Sequence, residues 1–257
     1  REVPPENAVT PPPHLAAFYA AEAHSMLESE PPRHTRLRSL VLRAFTSRRI
    51  KSLAPEIAAL THELVDGFPD GEFDLLPAFA TKIPVIIIAR LLGVPEDMAD
   101  DLLRWSNAMV AMYQARRTRE IEDSAAQATT EFVDFMRGYV EERRARPADD
   151  LITELIQAEE GGEKLSTEEL ITTCILLLNA GHEATVHTLG NGTKTLLETG
   201  GAEISNTCVE EILRHDPPLH MFTRWVYEDV TIGGVPLKRG DQIGCLLAAA
   251  NRDPAAY

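Results

Sequence analysis

The stretch from Leu170 to Thr185 constrains the fold more than any other part of the chain. Leu170-Ile171 through Cys174-Ile175-Leu176-Leu177-Leu178 is apolar nearly all round. A helix apolar on every face belongs in a core, not on a surface. Small residues then interrupt the run at Ala180-Gly181, and His182-Glu183-Ala184-Thr185 follows at once. Glycine inside a helix costs about 1 kcal/mol relative to alanine, and a buried glutamate is worse off unless it is paired or hydrated. A core helix that thins its side chains and sets a carboxylate beside the gap predicts a flat ligand lying against it, with proton traffic nearby.

His182-Glu183 also matches half of a zinc-protease helix, in which a second histidine one turn on shares the face of the first. Here that position is Val186, and the next histidine is His187. Five residues turn a helix by roughly 140° beyond a full circuit, so the two imidazoles face apart and no metal site is expected.

The chain has 257 residues, enough for one large core or two small ones. Its 25 basic and 40 acidic residues give a net charge of −15, which argues against nucleic-acid binding. No apolar run approaches the roughly 18 residues that span a bilayer, and Arg1-Glu2-Val3-Pro4-Pro5 carries no signal pattern, so no membrane role is expected. The cysteines, Cys174, Cys208 and Cys245, are odd in number and far apart. They match neither a disulfide framework nor a zinc spacing and suit a reducing cytoplasm.

Periodicity predicts a mainly α protein. A proline-rich lead-in, residues 1–32, surrounds a short helix over Leu15–Ala23. Helices follow from Arg33, broken at Thr46-Ser47, to about Leu64. Others are predicted within Phe73–Leu92 (stopped by Gly93-Val94-Pro95), over Pro95–Tyr113, over Thr118–Arg146, and from an Asp149-Asp150 cap to Glu159. Ser166-Thr167-Glu168-Glu169 is a capping box that launches the long central helix to about Leu197. Thr207–His215 is the last clear helix. The tail alternates: Arg224–Val226, Val230–Ile232, a Gly233-Gly234 turn and Val235–Leu237 read as a β-hairpin, with Gln242–Leu247 a further strand. No repeat or clean domain boundary appears, so 1–257 is expected to be one domain.

Two pairs on helices carry chemistry. Glu211 and Arg214 are three apart, hence neighbours on one face. Alone they read as an ordinary surface ion pair. His34 and Arg38 are one turn apart and can together hold a carboxylate or phosphate. They lie in a stretch that carries seven cations, Arg33, Arg36, Arg38, Arg43, Arg48, Arg49 and Lys51, with no acid between Pro31 and Pro55. In so acidic a chain the block predicts an interaction surface.

Four stretches, in order, resemble the cytochrome P450 family of haem-thiolate monooxygenases. They are Pro31-Pro32-Arg33-His34-Thr35-Arg36-Leu37-Arg38 with Ala44-Phe45-Thr46, Ala180 to Thr185, Glu211 to Arg214 with His215-Asp216-Pro217-Pro218, and Gly233-Gly234 with Asn251-Arg252-Asp253-Pro254. The resemblance is to soluble bacterial members and covers nearly the whole chain. It implies a mainly α fold with a minor β portion near the C-terminal end, a haem cofactor, and hydroxylation or epoxidation of a small apolar substrate with O2 and two electrons. By resemblance, His34, Arg38 and Arg224 neutralise the haem propionates, and Ala180 and Gly181 let the porphyrin approach. Glu183, Ala184 and Thr185 sit at the catalytic oxygen side, with Glu183 in the proton path. Glu211 and Arg214 form a buried structural pair, and Leu219, His220, Met221 and Phe222 line the substrate pocket. The basic block, Arg33 to Lys51, docks a ferredoxin-type electron donor.

The chain departs from the family pattern in four places. The family's iron-ligating cysteine lies in a glycine-rich loop that has no counterpart here. The resemblance starts partway into the pattern. Leu196 to Val209 is too short for the helix that the family usually places there. Most members have Thr directly after the acid, whereas Ala184 takes that position and Thr185 lies some 100° further round. The expected reading is a P450 domain truncated at both ends, whose parent is the monooxygenase. As given, the chain is expected to be inactive, with haem absent or weakly bound. A non-enzymatic ligand- or haem-binding fragment is the alternative, and a metal-dependent hydrolase a distant third.

Overall fold

The computed structural model describes residues 3–114, 116–158 and 161–256. Helices dominate. In chain order they are α1 (Ala16–Glu22), α2 (Arg33–Ala44), α3 (Ser47–Ser52), α4 (Ala54–Asp66), α5 (Lys82–Leu92), α6 (Ala99–Val110), α7 (Arg119–Ala145), α8 (Leu151–Gln157), α9 (Thr167–Glu198), α10 (Asn206–His215) and α11 (Leu247–Ala250). The strands are β1 (Met221–Trp225), β2 (Val230–Ile232), β3 (Val235–Leu237) and β4 (Gln242–Leu246). The chain divides into two compact units, Pro11–Glu183 and a second made of Arg1–Thr10 with Ala184–Tyr257, so the boundary falls inside α9.

Helix ends follow the side chains that can satisfy free backbone groups. Thr46 caps α3, Thr118 caps α7, Asp150 caps α8 and Ser205 caps α10, each accepting a backbone N–H of the first turn. Ser166 and Glu169 form the reciprocal box at the start of α9: Ser166 N–H reaches the Glu169 carboxylate at 2.9 Å, and Glu169 N–H reaches Ser166 Oγ at 3.2 Å. Gly93 ends α5 at φ 83°, a left-handed conformation suited to glycine. A second break, at Leu53, separates α3 from α4 within the stretch that periodicity joins. The predicted end of the short helix at Glu159 lies outside the described residues; α8 closes at Gln157.

The larger unit holds the main core. α6 packs along α7, with Trp105 stacked on Phe132 at 5.1 Å between ring centroids. Phe132, Met136, Leu151, Ile152 and Leu155 join Leu170, Ile171, Cys174 and Leu178 of α9 in one buried cluster. Each such side chain contributes roughly 1.5–3 kcal/mol by leaving water. The first half of α9 is therefore the core helix that its all-round apolar character predicts.

In the smaller unit, the second half of α9 meets α10. A Cβ on Gly192 would lie 2.8 Å from Ile212 Cγ2, so glycine lets the two helices close. Gly233 and Gly234, at φ 58° and 81°, form the turn between β2 and β3. The predicted hairpin holds for these two strands but not for Arg224–Val226. β1 instead pairs antiparallel with β4, Arg224 opposite Ile243. The alternation of residues 224–232 is broken at Tyr227-Glu228-Asp229, where Asp229 turns to bind Lys238 and the Arg239 N–H.

Candidate functional site

The basic block is not uniform. Arg36 donates to Glu169 and, at 3.3 Å, to the carbonyl of Lys164, which fixes α2 against the start of α9. Burial would raise the Glu169 carboxyl, but the Ser166 backbone and Arg36 outweigh it and hold the group below the usual range. Arg49 reaches Glu154 at 2.6 Å and Asp149 at 3.6 Å. These acids are distant in sequence, so the local absence of acids hides two neutralised cations. His34 and Arg38 each lie two residues from Arg36, roughly 200° round the helix on the other side. Neither side chain has a hydrogen-bond or ion-pair partner among the described residues. Arg33 and Lys51 are likewise exposed and unpartnered among them.

On α9 the small residues have different surroundings. A Cβ at Gly181 would lie 2.9 Å from Ile88 Cδ1 of α5, so this glycine accommodates helix packing. Ala180 and Ala184, one turn apart, are exposed. Glu183 is half-buried and Thr185 exposed. His182 is buried and His187 exposed, in keeping with their different faces. Each of the two alanines leaves its own part of the helix surface uncovered.

Just before Ala180, Asn179 stands in the apolar run. Its Nδ2 contacts Met109 Sδ of α6 at 4.0 Å, and its Oδ1 is shielded from solvent. Ser106, one turn before Met109, is 1 % exposed. Neither residue was among the sequence candidates. The available signal was a lone amide inside Leu176–Ala180.

In the smaller unit, Arg214 grips the Glu211 carboxylate through Nε at 2.7 Å and through a second guanidinium nitrogen, and its third nitrogen donates to the Asn251 carbonyl at 2.6 Å. Arg252 returns the link by donating to the His215 carbonyl at 2.9 Å. The Glu-x-x-Arg and Asn-Arg-Asp-Pro stretches are thus one assembly. The guanidinium holds the Glu211 carboxyl below its ordinary value. The pair is not buried as expected: Glu211 is 57 % exposed, on a helix that buries none of its residues fully.

Arg224 donates to the Thr223 carbonyl at 2.9 Å and lies over the Phe222 ring at 5.1 Å. Leu219, His220 and Met221 are exposed and Phe222 is half-buried opposite Cys245. Cys245 is exposed on β4, Cys208 is half-buried in α10, and burial pushes the Cys174 thiol up to about 12, which keeps it protonated. None occupies a loop. Among the described residues no cluster of three or more His, Cys, Asp or Glu is placed to hold a metal ion.

The unpartnered side chains of His34 and Arg38 are donors of the kind that receive the carboxylates of a haem. The cytochrome P450 family model matches residues 7–198 and 203–257, breaking at the shortened segment after α9. The chain is 40 % identical over 239 residues to the polyketide biosynthesis cytochrome P450 PksS of Bacillus subtilis, covering 89 % of this chain and 58 % of the relative. It is 37 % identical over 246 residues to 6-deoxyerythronolide B hydroxylase of Saccharopolyspora erythraea, covering 91 % and 59 %. Among solved structures, P450BioI in complex with an acyl carrier protein bearing hexadec-9Z-enoic acid matches with a TM-score of 0.90 at 30 % identity, over 100 % of this chain and 68 % of that one. The chain therefore spans about three fifths of the length of these two relatives, and it belongs to the cytochrome P450 family.

Proposed function

We propose that residues 3–256 supply the distal side of a haem monooxygenase that hydroxylates or epoxidises a small apolar molecule in the cytoplasm, both compact units serving one P450 domain. The observation that carries this reading is the contrast within α2: Arg36 is tied down by Glu169, while His34 and Arg38, on the far side, have no partner among the described residues. Side-chain donors left unpaired in an acidic chain await an anionic group.

The family implies haem, which when bound supplies the oxygen-activating redox chemistry. His34, Arg38 and Arg224 would hold its two carboxylates. Ala180 and Ala184 let a planar ring lie against α9, and Gly181 brings α5 close behind it. Glu183, half-buried on the same helix, would join the proton-delivery path. Thr185 does not replace the hydroxyl that most members carry at position 184, so a water or a substrate hydroxyl must complete proton delivery. The reading assigns the thiolate to none of Cys174, Cys208 and Cys245, and this chain alone to an inactive, weakly haem-binding state.

Arg33 and Lys51, exposed and without side-chain partners among the described residues, suit an acidic electron donor of the ferredoxin type, as a docking face over Arg33 to Lys51 requires. An acyl carrier protein, the partner in the P450BioI complex, is the competitor to include in the same assay.

Haem titration tests the site. Added haem should bind the chain without a Soret band near 450 nm under reduction and carbon monoxide. Arg38→Ala and His34→Ala together should weaken haem binding about tenfold or more, the loss of two charge-assisted contacts. A 450 nm band would overturn the statement about the cysteines. Unchanged affinity in the double variant would overturn the carboxylate role of α2.

A further inference from the structure

We infer that Ser106 and Asn179 form a polar anchor in the substrate cavity that selects an apolar molecule carrying a hydroxyl group. The inference rests on the monooxygenase reading for the existence of that cavity. It goes beyond it by naming the recognising residues and the group they recognise.

Ser106 Oγ and Asn179 Oδ1 are both shielded from solvent, and neither has a hydrogen-bond partner among the described residues. Ser106 is 1 % exposed. A buried serine in a helix ordinarily turns its hydroxyl back to a carbonyl of the preceding turn, as Thr129 does to Ala125 at 2.7 Å in the neighbouring α7. Ser106 does not. Leaving a buried polar group unsatisfied is costly in a well-packed unit.

The two atoms flank one side chain. Ser106 and Met109 are three apart on α6 and both buried, so they share its inward face. Asn179 of α9 meets Met109 through Nδ2, at 4.0 Å from Sδ, a weak contact that leaves the amide oxygen unused. Both residues belong to the unit Pro11–Glu183. Asn179 immediately precedes the exposed Ala180 in the chain. Ser106 and Asn179 are set among otherwise apolar buried side chains of α6 and α9, such as Leu102, Met109, Ile175 and Leu178.

Chemistry narrows the ligand. Asn179 Oδ1 only accepts, and Ser106 Oγ can donate and accept. A hydroxyl matches both at once: its proton goes to Asn179 and its oxygen receives from Ser106. A site built to bond a hydroxyl discriminates strongly against the analogue that lacks it, because its own groups then stay unpaired.

The test uses the full chain with 1-adamantanol and 1-methoxyadamantane, the same apolar cage with and without a donor proton, titrated by calorimetry. Thermal midpoints are recorded for every variant. The native chain should bind the alcohol about fivefold or more tightly than the ether. Asn179→Leu should bring the two affinities together and leave the thermal midpoint equal or higher, since it removes an unsatisfied polar group at similar volume. Ser106→Ala should act in the same direction. Equal affinities in the native chain, or a preference that survives Asn179→Leu, would overturn the anchor. So would a lowered midpoint in Asn179→Leu, which would show that the amide serves the fold through a buried water. If neither compound binds, the apolar cavity of the monooxygenase reading fails as well, a result distinct from binding without preference.

Discussion

Asp150 occupies the space that a side chain at Gly93 would need. An added Cβ there would overlap the Asp150 carboxylate, and Gly93 already has a φ of 83°. The Gly93 carbonyl in turn receives Tyr139 Oη at 2.8 Å and an Arg143 guanidinium nitrogen at 2.9 Å. Arg143 also pairs with Asp150, which is nearly fully buried and caps α8 through the Thr153 N–H at 2.8 Å. The end of α5, the last turns of α7 and the start of α8 meet in this one knot.

Removing either side of the knot should therefore be severe. Gly93→Ala combines a left-handed backbone with a direct clash and should destabilise the chain by about 3 kcal/mol or more. Asp150→Ala leaves Arg143 without its partner and α8 without its cap, for a loss of about 3 kcal/mol. Asp150→Asn keeps the cap oxygen and should lose less. Urea denaturation of the three variants measures this, and a loss below about 1 kcal/mol in Asp150→Ala would show that the knot is not cooperative.

Glu131 provides a pH dependence with a definite sign. Hydrogen bonds from the Trp105 indole N–H, then Gln127 and Arg104, hold its carboxyl down from 4.5 to about 2. A carboxyl depressed in the folded state adds stability that is complete above its unfolded value and is lost as pH falls through the folded one. The window is thus about pH 4.5 to 2. Across it the urea midpoint of the native chain should fall, and Glu131→Gln should flatten part of that fall while leaving pH 7 to 5 unchanged in slope. Identical slopes in both proteins would remove Glu131 from the account.

The basic block should separate into two classes by experiment. Arg36, partly buried and bonded to the cap of α9, is structural, and Arg36→Ala should lower stability by about 1–3 kcal/mol. Arg33 and Lys51 are exposed without partners among the described residues. Arg33→Glu with Lys51→Glu should leave the denaturation midpoint within about 0.5 kcal/mol of native. If the proposed monooxygenase docks an acidic ferredoxin here, the same pair should slow that association several-fold, more at low salt than at high. An unchanged rate would move docking elsewhere.

Local chemistry explains what could be read from the residues. Caps at Thr118, Asp150 and Ser166, the stop at Gly93 and the Gly233-Gly234 turn act within four residues, so each is visible in sequence. The core role of Leu170–Leu178 is likewise local, because it rests on composition round a helix. What stayed hidden depends on partners far away. Arg36 and Arg49 look like members of a uniform cationic face until Glu169 and Glu154 arrive from more than a hundred residues on. Arg224 looks like part of the β2 hairpin until β4 claims its strand. Gly181 signals a gap, yet sequence cannot say that Ile88 fills it. Ser106 and Asn179 became conspicuous only because the fold shields them without supplying partners.

Ala184 is the last residue whose role can be forced into the open. It is exposed on α9, and its carbonyl accepts Thr188 Oγ1 at 2.8 Å, so its backbone is held independently of its side chain. Ala184→Thr should thus lower stability only by the helix-propensity difference, about 0.5 kcal/mol. In the proposed monooxygenase the new hydroxyl would stand one turn from Ala180, where it could hold a water for proton transfer. It should raise product formed per electron consumed more than it changes the substrate-binding constant. Added bulk acts the other way, by crowding the substrate. Weaker binding with unchanged coupling would show that alanine is kept at 184 for space, and that the proton route does not pass this turn of the helix.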